Sequence, residues 1–142
     1  MILLFKITGF IFIIFTTSAI GFYKANALNL RYKKLCALQK SMVTLKEGIR
    51  LHSGEAEQII RLSFDEFPVE YTYLKKEDAK LLDEFFFSFG NSDTAAEYER
   101  CEFYLNLLKT RAEDAKKQHS ELARLYKNVG VLSGILICIF FL

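Results

Sequence analysis

Very little in this chain would break a helix. It has one proline, Pro68, and only seven glycines in 142 residues. No Asn-Gly or Asp-Gly hairpin signal occurs, and no segment alternates strictly between apolar and polar residues. Those absences remove the usual marks of a β-fold. The three cysteines, Cys36, Cys101 and Cys138, lie far apart without a Cys-x-x-Cys pair. That spacing excludes a disulfide framework and a zinc site, and it reads as buried thiols in a reducing compartment. Only two histidines occur, His52 and His119, and they do not form a paired metal motif. No phosphate loop or nucleophile elbow appears. The residues therefore nominate no catalytic group, no cofactor and no metal. His119 falls on an inner helix seam, as an interior histidine would. His52 stands at a helix junction without an obvious partner.

Two stretches lack charge altogether, from Ile7 to Tyr23 and from Val129 to Leu142. Extended through Ile2 to Phe5, the first is about 22 residues, enough to span a bilayer, with Lys6 able to reach the interface. The second, at about 21 Å as a helix, is short for a hydrocarbon core of roughly 30 Å. It is uniformly apolar, however, and Tyr126 and Lys127 stand where interfacial anchors belong. Local thinning would complete the span. The expected division is a membrane helix over 2–23, a helical domain over 24–127 and a second membrane helix over 128–142.

Basic residues flank both runs: Lys24, Arg31, Lys33 and Lys34 after the first, and Lys116, Lys117, Arg124 and Lys127 before the second. The middle, from Leu35 to Ala115, holds 10 Lys and Arg against 16 Asp and Glu. Cytoplasmic flanks are the ones enriched in Lys and Arg. Both junctions therefore argue for a cytoplasmic middle, and an acidic middle argues against nucleic acid as a partner. The small-x-small triplet Ala25-Asn26-Ala27 resembles a signal cleavage site. It keeps open an alternative, an exported helical module released by cleavage there. A membrane-bound enzyme built around His52 and neighbouring carboxylates is a weaker rival.

Apolar spacing in the middle is helical throughout. Leu28, Tyr32, Leu35, Leu38, Met42, Leu45 and Ile49 form one face of a first helix, stopping near His52-Ser53-Gly54. Ser53 can cap a short second helix that carries Glu55 and Glu57 in its first turn. Ile59, Ile60, Leu62 and Phe64 supply its apolar side, and Phe67-Pro68 ends it. A third helix covers about Leu74 to Phe89, with Gly90 as its stop. Ser92, Asp93 or Thr94 caps a fourth, with Glu97 completing a capping box. That helix has a seam of Cys101, Leu105, Leu108, Ala112, Ala115, His119, Leu122 and Tyr126, stepping by four and three. The expected fold is all-α, an antiparallel helical bundle flanked by N- and C-terminal transmembrane helices.

The third helix supplies the candidate partner-binding surface. Glu77, Asp78, Asp83 and Glu84 are expected on its polar side, opposite Phe85, Phe86 and Phe89. Four phenylalanines in five residues cannot all face one way, so Phe87 is turned from the other three. It either packs on the preceding loop or meets a partner. Gly130 and Gly134 form Gly-x-x-x-Gly, a spacing that permits close helix contact in lipid.

Several stretches together resemble a known family. They are Phe89-Gly90-Asn91-Ser92-Asp93 before a long polar helix, and Asn128-Val129-Gly130-Val131-Leu132-Ser133-Gly134 before a short apolar end. Gly21-Phe22 and Ala37-Leu38-Gln39 complete the pattern at the front. This arrangement resembles stage III sporulation protein AB over about two thirds of the chain. It departs from the family pattern at Leu51-His52-Ser53-Gly54, where a Thr-Pro-Leu turn is usual, and in a shorter region before Leu74. Glu97 stands near where the family commonly has a glutamine. The resemblance implies a non-enzymatic component of the channel complex linking mother cell and forespore, set in the mother-cell membrane. The family is similar to the F platform protein of type II secretion. That likeness implies a cytoplasmic helical domain that docks the complex's secretion ATPase, stage III sporulation protein AA. Other stage III sporulation proteins, and self-association, are further expected contacts.

Overall fold

The computed structural model describes residues 1–51, 56–64 and 69–140, the side chains of residues 2 and 3 apart. Four helices make up its regular structure: α1 (Ile2–Leu51), α2 (Ala56–Ser63), α3 (Lys76–Ser88) and α4 (Thr94–Phe140). No strand occurs among the described residues. The all-α expectation holds, and so does the placement of long apolar helices at both ends. His52, the stop at His52-Ser53-Gly54, the Ser53 cap with Glu55, and the Phe67-Pro68 end lie outside the described residues.

The chain forms two compact units, residues 1–30 with 116–142, and residues 31–115. In the terminal unit, the ends of α1 and α4 pair antiparallel. Each of these helices contains an 18-residue window apolar enough to cross a membrane. Their outward surface is correspondingly apolar, with Phe5, Ile11, Phe12, Phe15, Leu132, Leu136 and Ile139 all exposed. The contact between the two helices is made by small residues. A Cβ on Gly21 would lie 2.5 Å from the Tyr126 carbonyl oxygen, and one on Gly130 would lie 2.9 Å from that of Thr17. One on Gly134 would meet Thr17 Oγ1 at 2.5 Å and Ile14 Cα at 3.1 Å. Backbone therefore approaches backbone, as dispersion-driven packing in lipid requires. The Thr17 hydroxyl donates to the Ile13 carbonyl (3.0 Å), so it exposes no unpaired donor. Where polar sequence takes over, Lys24 lies over the Tyr126 ring (5.7 Å) and Lys127 over the Phe22 ring (5.3 Å). Both distances are within cation–π range.

The central unit has one hydrophobic core. α1 contributes Leu35, Leu38, Met42, Leu45 and Ile49, and α4 contributes Cys101, Leu108, Ala112 and Ala115. These are the positions the helical spacing singled out. Ile59 and Ile60 of α2 and Phe64 just after it enter the core, but Leu62 does not and is 79% exposed. Ser63 turns inward in its place and donates to the Ile59 carbonyl. The reason is angular: at about 100° per residue, 59, 60, 63 and 64 share one arc and 62 faces away. Leu81, Leu82 and Phe85 of α3, with Phe89 just past its end, complete the core. Phe85 meets Phe86 and Tyr104 edge-on at 5.4 and 5.1 Å between ring centres.

Candidate protein-docking site

The only candidate surface the sequence offered outside the terminal helices lies on α3. Asp78, Leu81, Leu82 and Phe85 form its buried stripe. The opposite arc carries Lys76, Glu77, Lys80, Asp83, Glu84 and Phe87, all exposed. Phe87 is 88% exposed, so it does not pack on the preceding loop.

Asp78 is a correction. It is 1% exposed and lies inside the unit, not on its polar side. Arg31 of α1, 5% exposed, meets it through two nitrogens. Nε donates to Oδ2 at 2.9 Å, and Nη2 reaches Oδ2 at 2.8 Å and Oδ1 at 3.2 Å. The Lys75 backbone N–H donates to the same Oδ2 at 3.2 Å, so the carboxylate also caps α3. A charge can be buried only when it is paired and hydrogen-bonded, and this one is both. Asp78 thus fixes α3 to α1 and cannot reach a partner.

The acidic residues that remain outside are also not a uniform patch. Glu77 pairs with Arg111 of α4 (3.1 Å) and Glu84 with Lys80 (3.7 Å). Asp83 accepts the Tyr71 hydroxyl. Burial first, and then that bond, push the Tyr71 phenol up to about 12. The outward face of α3 is therefore mixed in charge, with Phe87 as its one large apolar group.

Between α3 and α4 runs a groove of about 390 Å³, lined by Glu77, Lys80, Glu84, Phe103, Leu107 and Arg111, among others. Phe103, 59% exposed, was not among the sequence candidates. It stands two residues past Cys101, off the Cys101-Leu105-Leu108 seam, and that offset was the available signal.

The α3–α4 connection explains Gly90, Ser92 and Asp93. Gly90 has φ +87°, the left-handed conformation expected of a helix stop. The Asp93 carbonyl accepts the Glu97 N–H at 2.9 Å, opening α4. The capping box takes a different form from the one expected. The Glu97 carboxylate reaches back past Thr94 to the N–H groups of Gly90 and Ser92, both at 3.1 Å. Arg100 ties the same turn by donating to Glu97, to the Ser88 carbonyl and to Ser92 Oγ. Gly90, Ser92 and Asp93 shape the turn; the other Glu97 oxygen, Oε2, is buried and makes no hydrogen bond among the described residues. Among the described residues no three His, Cys, Asp or Glu side chains converge as a metal site.

A family model described as stage III sporulation protein AB matches residues 6–66 and 51–142. The chain belongs to the stage III sporulation protein AB family. Its two matched segments together take in both long apolar helices and the whole central unit. The stage III sporulation protein AB family is a sporulation family. Comparison with curated proteins and with solved structures gave no match.

Proposed function

We propose that this protein is a non-enzymatic membrane platform of the channel complex between mother cell and forespore. In this reading α1 and α4 cross the mother-cell membrane, and the central unit stands in the cytoplasm. There it docks the secretion ATPase, stage III sporulation protein AA, as the F platform protein does in type II secretion. Family membership and the apolar outward surface of the terminal unit support the anchoring part. Basic residues at both membrane junctions support the sidedness. The observation that carries the docking part is Phe87, a large exposed aromatic on α3, one turn past Glu84, which lines the groove together with Phe103. Such an aromatic is the usual energetic anchor of an interface, with Glu77, Asp83 and Glu84 supplying its polar rim. α1 also continues as helix through Ala25-Asn26-Ala27, with Ala25 buried, which favours an uncleaved anchor over an exported module.

Truncating an interface anchor costs about 2 kcal/mol or more, roughly 30-fold in affinity. The Phe87→Ala variant is therefore expected to lose co-purification with the ATPase while keeping its thermal stability. Undiminished association of the folded variant would remove α3 as the docking face. Sidedness is read from a Lys80→Cys variant in which the native cysteines are replaced. A membrane-impermeant thiol reagent should label it only after lysis. Labelling in intact cells would overturn the cytoplasmic placement.

A further inference from the structure

The terminal unit holds a groove of about 690 Å³ that the docking reading does not use. Its lining changes character along its length. Ala19 and Phe22 belong to the uncharged run of α1, whereas Asn26 and Asn29 lie one and two turns further on. α4 contributes His119 and Lys127. One end is thus an apolar wall at the edge of a membrane run, the other is a set of hydrogen-bonding groups, and the Lys127 cation lies between them.

The charge around it is of one sign. Residues 1–30 and 116–142 carry Lys6, Lys24, Lys116, Lys117, Arg124 and Lys127 against a single acid, Glu121. Glu121 is exposed and does not line the groove. Lys127 is held over the Phe22 ring, so its ammonium stays at the boundary between the two halves. His119 lines the polar end of the groove with the exposed edge of its ring, while its Nδ1 is closed to solvent.

We propose that this groove binds one anionic glycerophospholipid from the leaflet at the junction. Its phosphate would meet Lys127 and the Asn26 amide, one turn past Phe22, with the headgroup extending toward Asn29. The headgroup would run on past the exposed edge of the His119 ring, and an acyl chain would lie along Ala19 and Phe22. A zwitterionic lipid presents the same tail but sets a choline cation among these lysines, so headgroup charge decides the preference. The proposal rests on the reading that the terminal helices are in a membrane.

The test uses the full chain purified in a mild detergent and titrated with dioleoylphosphatidylglycerol or dioleoylphosphatidylcholine, with bound lipid counted by native mass spectrometry. One tightly held phosphatidylglycerol is expected, with at least about fivefold preference over phosphatidylcholine. Lys127→Gln should weaken it about fivefold. Lys109→Gln, in the central unit, should leave it unchanged. Asn26→Leu, checked for unaltered helix content, should weaken it as well. Equal affinity for the two lipids, or wild-type affinity in both groove variants, overturns the proposal. Alkaline carbonate washing of cell membranes separates the two readings. Release of the protein to the supernatant sinks the membrane reading and this groove with it. Retention in the pellet without a phosphatidylglycerol preference sinks the groove alone.

Discussion

Replacing Asp78 by Asn should unfold this protein more readily than any surface change on the same helix. The substitution keeps the side chain's shape and one acceptor oxygen, but it removes the Asp78 charge that faces the buried Arg31 guanidinium. Arg31 and Asp78 side chains are 6% and 0% exposed, so water cannot replace the lost partner. Breaking a buried pair by removing one member costs about 3–5 kcal/mol. The Lys75 N–H, which now donates to Oδ2, also faces a weaker acceptor. A domain is stable by only about 5–15 kcal/mol, so the loss is a large part of the total. Thermal unfolding of the full chain in detergent, followed by helical circular dichroism, reads the effect as a markedly lower and broader transition. The Arg31→Met/Asp78→Leu double variant tests the cause. Removing both charges together should recover most of the loss, because replacing a buried pair with apolar groups of similar volume is often neutral or stabilising. An Asp78→Asn protein within about 1 kcal/mol of wild type would refute the argument. So would a double variant no better than the single one.

Two further outcomes follow from packing. Gly21→Leu places side chain where a Cβ alone would meet the Tyr126 carbonyl oxygen at 2.5 Å. The helices of the terminal unit must separate, and overpacking of this kind costs about 1–3 kcal/mol. Increased hydrogen exchange of α1 and α4 in that unit should report it, and unchanged exchange would count against the close contact. Cys101 is fully buried, and burial, followed by the charge of Glu97, raises its thiol to about 12 from 9.0. In the unfolded chain the thiol ionises near 9, so the unfolded state loses its proton first. Stability linked to this thiol is complete below pH 9 and declines as pH rises toward 12, with a limiting slope of about 1.4 kcal/mol per pH unit. Tyr71, also raised to about 12, acts in the same direction above pH 10. Denaturation midpoints measured from pH 8 upward should fall accordingly, and Cys101 should resist thiol reagents until the protein unfolds. Equally fast labelling in native and unfolded protein would contradict its burial.

Helical periodicity made most of the central core legible. Leu35, Leu38, Met42, Leu45 and Ile49 on α1, and Cys101, Leu108, Ala112 and Ala115 on α4, are where their spacing puts them. The candidate surface was less legible because charged residues were read as outward on chemical grounds alone. Position tells a different story. Asp78 leads the stripe Asp78-Leu81-Leu82-Phe85, and Arg31 leads Arg31-Leu35-Leu38-Met42-Leu45-Ile49, stepping by four and three. A charge at the head of an apolar stripe must find an opposite charge, and two such charges of opposite sign were present in one short chain. What no local pattern could supply was that residues 47 apart meet, since that depends on how α3 packs on α1. Gly21 was hidden for the same reason. It stands alone in sequence and joins Gly130 and Gly134 only when α1 and α4 pair.

The distribution of paired and unpaired charge separates the two surfaces proposed to bind. Six acids of the central unit already have cationic partners within it: Glu57 with Arg61, Glu77 with Arg111, Asp78 with Arg31, Glu84 with Lys80, Glu97 with Arg100 and Glu102 with Lys46. An acidic count in sequence therefore overstates the field a partner meets at α3. What projects there without an internal contact of comparable size is the Phe87 ring. At the membrane junction the reverse holds. Lys24 and Lys127 are fixed over aromatic rings, which orient the ammonium groups without neutralising them, in a unit with one acid to six cations. Affinity at α3 must then come from burying apolar area, which salt affects little. Affinity at the junction must come from charge, which salt screens over about 8–10 Å. The same acidic and basic residues that look like one electrostatic pattern along the sequence thus resolve into the proposed apolar docking face and the proposed cationic lipid-binding groove.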